Sequence, residues 1–144
     1  MTQMKKNVLF VCNMNSVRSP MAAAILGAEN APGVRVDSAG VYEGGVDPFV
    51  GSVLGEIGVS LGDYEPKALS DIDIARFDIV IALTPEAAAE ARRVLPASRI
   101  EYWPTENPSD VRGGDDALFD AYRAVRDELR ERIRARFLGP RNES

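Results

Sequence analysis

Four short strand-like runs punctuate the chain, each followed by turn residues and a stretch of helical periodicity. Val8-Leu9-Phe10-Val11 is continuously apolar, Val34 and Val36 begin a second run, Asp78 to Leu83 forms a third, and Arg99 to Trp103 a short fourth. Unbroken apolarity over a few β-branched residues marks a strand buried on both faces of a parallel sheet. Between the runs, Ser19 to about Asn30 sets Met21, Ile25 and Leu26 at helical spacing before Pro32-Gly33 stops it. Asp47-Pro48 starts a second helix with the stripe Phe49, Val53, Leu54 and Ile57, ending at Gly58. Thr84-Pro85 caps a third that runs to about Leu95, with Arg92 and Arg93 in its last turn, where cations complement the helix dipole. The last helix carries Leu118, Tyr122, Val125, Leu129, Ile133 and Phe137 on one face, and Gly139-Pro140 stops it. Glu128 and Arg132 form an i,i+4 pair on its wet side. Gly62 to Ser70 is expected to be a plain connecting segment, and Pro104 to Gly114 a loop.

This alternation predicts an α/β fold, a four-stranded parallel sheet with helices on both faces. The 144 residues, 45% of them hydrophobic, suit a single domain spanning 1–144. Such sheets bind ligands at the carboxyl ends of their strands. Cys12, the Asp37-Ser38-Ala39-Gly40 turn, Leu83-Thr84 and the Trp103 to Asp110 segment therefore share one rim.

The chemistry on that rim centres on Cys12. The first strand delivers it into Asn13-Met14-Asn15-Ser16-Val17, a turn-forming loop that closes onto Arg18 and a helix start, with Ser19-Pro20 expected as N-cap and first helical residue. Backbone N–H groups converging in a tight loop at a helix N-terminus bind anions, and Arg18 adds a planar fork for two oxygens of a tetrahedral oxyanion. The same field favours the thiolate form of a neighbouring cysteine. A nucleophile thus faces a phosphate cradle formed by Asn13, Met14, Asn15, Ser16, Val17 and Arg18.

Composition removes most other chemistries. Histidine is absent and Cys12 is the sole cysteine, which excludes His-dependent triads, an intramolecular disulfide and an ordinary zinc site, so no metal is expected. No nucleotide-binding glycine motif occurs, and no cofactor is expected. A net charge of −5 argues against nucleic acid and anionic membranes as partners. The apolar run after Lys5 and Lys6 is too short for a signal-peptide core or a membrane span. A cytoplasmic protein, monomeric or weakly dimeric, is expected.

The segment Cys12 to Ser19 resembles the Cys-x5-Arg-Ser loop of the low-molecular-weight protein tyrosine phosphatases and the related thioredoxin-type arsenate reductases. Asp37-Ser38-Ala39-Gly40, Phe77-Asp78-Ile79-Val80 and the Asn107-Pro108 region extend the likeness over nearly the whole chain. The resemblance implies a flavodoxin-like sheet and attack of Cys12 on a phosphate monoester, such as a phosphotyrosyl substrate, giving a phosphocysteine that water hydrolyses. It assigns Arg18 to the phosphoryl oxygens, Ser19 to the departing sulfur and Asn15 to the shape of the loop.

The chain departs from the pattern in instructive places. The family's proton-donating aspartate is replaced by Asn107, and an amide cannot protonate a leaving group, at a cost of about 10² to 10⁴ in rate for poor ones. Asp110 is the candidate substitute, with Glu106 behind it. Val17 stands where many relatives carry a second cysteine, and Met14 replaces a common glycine. Tyr42 and Trp103 are rim aromatics that either select substrate or pack. Three readings remain open: a phosphatase restricted to good leaving groups, an arsenate reductase completed by an external small thiol, and a phosphate- or phosphoprotein-binding module without turnover.

Overall fold

The computed structural model describes residues 6–45, 47–62 and 64–138; the Gly139-Pro140 stop lies outside them. Strands β1 (Lys6–Cys12), β2 (Val34–Gly40), β3 (Ile79–Ala82) and β4 (Ile100–Tyr102) form one parallel sheet in the order β2-β1-β3-β4. The chain leaves β1 to one side for β2 and returns past it for β3, so β1 sits at the topological switch point. Register sets Cys12 beside Gly40 and Val11 beside Ala82. The expected third strand is longer than its regular core, because Asp78 N donates to Asn7 O at 2.8 Å and Leu83 N to Val11 O at 2.8 Å, extending the ladder at both ends.

The pleat of β1 divides the interior. Val8, Phe10 and Cys12 face one cluster built with helix α1 (Arg18–Glu29), α2 (Pro48–Gly55) and α4 (Gly114–Ile133), where Met21, Ile25, Leu54, Tyr122 and Leu129 are buried. Leu9 and Val11 face the other cluster, closed by Ala87, Ala88 and Ala91 of α3 (Pro85–Arg92). Small alanines let α3 lie close to the sheet, while the bulkier stripe of α4 fills the wider side. A single π-helical turn, Arg134–Leu138, continues α4.

Helix boundaries differ from expectation where local chemistry intervenes. α1 begins at Arg18, with Val17 at the N-cap making no side-chain bond. Ser19 and Pro20 therefore occupy the second and third helical positions, where proline is tolerated because the first N–H groups have no intrahelical partner. α2 ends at Gly55, and the chain turns through Gly58 at φ +75°, so Ile57 lies past the helix. Asp47 and Thr84 cap α2 and α3 as expected, accepting from Phe49 N at 2.8 Å and Ala87 N at 3.0 Å. The Glu128–Arg132 pair closes at 3.1 Å. The 62–70 segment is more than a connection, since Ala68 bridges Gly40 in parallel and Lys67 O accepts from Gly40 N at 2.9 Å. Among the described residues no helix is long and apolar enough to cross a membrane.

Candidate active site

Asn15 organises the loop between β1 and α1. Its φ is +51°, a left-handed conformation that asparagine tolerates better than most side chains, and the residue is fully buried. Its Oδ1 accepts from Lys67 N at 2.9 Å, which fixes the amide orientation and points Nδ2 at Ser19 Oγ, 2.8 Å away. Tyr64 OH donates to its carbonyl. Burial and then the charge of Cys12 push the Tyr64 phenol up, so it stays protonated and remains a donor.

Cys12 Sγ lies 3.0 Å from Ser19 Oγ at the end of β1, with 2% of the residue exposed. Ser19 Oγ is also 3.3 Å from Ala39 O. Since Asn15 already donates to this oxygen, the serine's own hydrogen is left for Ala39 or for the sulfur, and a thiolate is the stronger acceptor. Of the two roles expected for this hydroxyl, the contact with the Cys12 sulfur is present and the helix cap is not.

Two glycines make room for the loop. A Cβ on Gly40 would lie 2.6 Å from Asn15 N, and one on Gly44 would lie 2.5 Å from both Met14 O and Ser16 Oγ. Asn13 ties the loop to α3 by accepting from Thr84 Oγ1 at 2.7 Å. Arg18 is half-buried and donates one Nη1 bond to Thr105 O at 3.0 Å, anchoring the guanidinium to the segment after β4. Most of its five donors stay available to an oxyanion.

Cys12, Met14, Ser16, Val17 and Arg18 border a cleft of about 230 Å³, closed opposite by Gly44, Gly45 and Asp47 and along one side by Asn107 and Ser109. Sequence reasoning placed the loop and Asn107 correctly beside one another. Asp110 is exposed, at the far end of the Pro108–Asp110 turn, and does not line this cleft. Glu106 borders an adjacent depression that Arg18 also reaches. Trp103 packs edge-on against Phe10, ring centroids 5.9 Å apart, while Tyr42 is exposed at the rim.

Asp47 and Ser109 were not anticipated in the cleft. Asp47 was legible only as a helix cap, and it is one; Oδ2 additionally accepts from Tyr122 OH at 2.7 Å. Burial first, and Asp47 second, push the Tyr122 phenol up. Tyr64 and Lys67 were hidden in an apparent linker, with no local pattern to reveal that they brace Asn15.

With a thiol at a strand end, an arginine on the same cleft and a serine on the sulfur in place, the model of the low molecular weight phosphotyrosine protein phosphatases matches residues 7–138. The chain belongs to that family. It is accordingly an enzyme of the low-molecular-weight phosphatase type, on that family's flavodoxin-like sheet. An arsenate reductase of Bacillus licheniformis is 28% identical over 130 residues, covering 90% of this chain and 94% of that protein. The low molecular weight protein tyrosine phosphatase from T. tengcongensis superposes with a TM-score of 0.76 at 25% identity, covering 90% of this chain and 95% of that one. The YwlE arginine phosphatase from Geobacillus stearothermophilus gives 0.73 at 27% identity, covering 96% and 99%. Relatives thus include both phosphatases and arsenate reductases.

Proposed function

We propose that this enzyme hydrolyses phosphate monoesters through a phosphocysteine at Cys12. The observation that carries the reading is the 3.0 Å approach of Ser19 Oγ to Cys12 Sγ, with Cys12 and Arg18 lining one cleft. Cys12 attacks phosphorus in line, the loop amides and Arg18 hold the equatorial oxygens, and the leaving oxygen departs toward the Asn107 side. Ser19 then stabilises the sulfur as it leaves the phosphocysteine. Oxyanions such as phosphate and vanadate occupy the same cradle. A sole cysteine nucleophile needs a reducing compartment, which supports a cytoplasmic setting.

The test is turnover of nitrophenyl phosphate by wild type and by Cys12→Ser, with mass spectrometry of the acid-quenched protein. Turnover by wild type alone and an 80 Da adduct (the mass of one phosphoryl group) on Cys12 support the reading; oxyanion binding without either result leaves a binding module.

Arsenate reduction is the second reading, favoured by the names of several relatives. Arsenate on Cys12 would have to be resolved by an added small thiol, because the chain has no second cysteine. Arsenite formation in the presence of that thiol, exceeding phosphate release from the ester, would favour it.

A further inference from the structure

Hydrolysis through a phosphocysteine requires a group that gives a proton to the leaving oxygen and takes one from water, and the amide at position 107 can do neither. Asn107 Oδ1 is moreover occupied by Ser109 N at 3.1 Å and Ser109 Oγ at 2.8 Å. Asp110 points elsewhere. Of the described residues lining the Cys12 cleft, only Asp47 carries a carboxylate.

We propose that Asp47 is the proton-transfer carboxylate of this site, an inference that rests on the phosphatase reading. Two donors from different elements fix the group: Phe49 N of α2 holds Oδ1 at 2.8 Å, and the buried Tyr122 OH of α4 holds Oδ2 at 2.7 Å. Each oxygen keeps a further lone pair for water or a leaving group. In the first step the S–P bond forms, the P–O bond breaks, and the departing oxygen takes the proton of the Asp47 carboxyl. In the second step water oxygen bonds to phosphorus, the P–S bond breaks with its electron pair returning to Cys12, and the water proton passes to Asp47. The carboxyl is regenerated each cycle with water as the only co-reactant. Among the described residues, the other charged and titratable groups that line the cleft or bond to Asp47 are Cys12 at the end of β1, Arg18 on α1 and Tyr122 on α4. Tyr122 is a positioning residue.

Asp47→Asn separates this role from capping, because asparagine caps helices as well as aspartate. With nitrophenyl phosphate, whose leaving group needs little protonation, the variant is expected to release one equivalent of nitrophenolate in a burst and then turn over about 10²-fold more slowly than wild type. Phosphocysteine accumulates accordingly. Tyr122→Phe removes one of the two donors that orient the carboxylate and leaves the cap intact, so kcat for nitrophenyl phosphate is expected to fall by about 10-fold with KM unchanged. Wild-type turnover with Asp47→Asn within about twofold of it and no burst would reduce Asp47 to a helix cap. An unchanged kcat in Tyr122→Phe counts against the assignment in the same way, and does so even if Asp47→Asn fails to fold. Absence of wild-type turnover would instead remove the phosphatase reading and this assignment with it.

Discussion

The Asn15 amide donates to Ser19 Oγ at 2.8 Å, and this one bond decides what the serine can do for Cys12. With one lone pair engaged by Asn15, the hydroxyl keeps its hydrogen for Ala39 O at 3.3 Å or, when Cys12 is a thiolate, for the sulfur 3.0 Å away. A hydrogen bond to a charged group contributes about 1.5 to 3 kcal/mol. Ser19→Ala is therefore expected to slow loss of phosphate from phosphocysteine by about 10- to 10²-fold, while the nitrophenolate burst persists. Rapid-quench kinetics checks it, and equal slowing of both steps would show that the loop itself has shifted.

A carboxylate restored at position 107 should act in the same cleft. In the Asp47→Asn, Asn107→Asp double variant, the new group keeps the turn by accepting from Ser109 as Asn107 does. Phenyl phosphate turnover is expected to recover about 10² over the Asp47→Asn single variant, with a smaller gain for nitrophenyl phosphate. Recovery that is equal for both leaving groups would mean that position 107 acts on binding rather than on proton transfer.

Oxidation of Cys12 has no internal stop. Val17, at 7% exposure, occupies the loop position where a second thiol would form a disulfide. Peroxide is expected to carry Cys12 past sulfenic acid to the sulfinic state, a gain of 32 Da (two oxygen atoms) that thiols do not reverse. Intact-mass measurement after reductant treatment reads this directly, and full recovery of the free thiol would contradict it.

Acid stability should report the junction of α2 and α4. Hydrogen bonds from Arg123, then Arg126, lower the Glu56 carboxyl from 4.5 to about 2. Its contribution is complete above the unfolded-state value and is lost as pH falls through the folded one. The melting-temperature gap between wild type and Glu56→Gln is therefore expected to be widest above about pH 4.5 and to close toward about pH 2. A gap that does not change with pH would assign the effect to packing.

Much of this was legible because the signals are local. A buried parallel strand must be apolar throughout, a helix start needs a cap, and a Cys-x5-Arg-Ser loop between them has few uses. The four parallel strands, the Asp47 and Thr84 caps and the Glu128–Arg132 pair followed from spacing of this kind, whereas the strand order β2-β1-β3-β4 came only with the fold. Of the two places expected for Ser19, the N-cap was off by two positions, because propensity ranks serine as a cap, while its place beside the Cys12 sulfur is the one the fold shows.

What the chain alone determined, then, was the parallel sheet and the loop from Cys12 to Arg18 at its rim, since each strand, and the loop itself, is encoded within a dozen contiguous residues or fewer. Tertiary structure decided which carboxylate accompanies Cys12. Asp47 and Asp110 are equally polar loop residues in the sequence, but side-chain direction depends on packing between elements distant in the chain. Tyr122, 75 residues from Asp47, draws that carboxylate into the cleft wall, while Asp110 ends its turn in solvent. The bracing of Asn15 by Tyr64 and Lys67, 49 and 52 residues away, is likewise a product of the folded chain and of no local pattern.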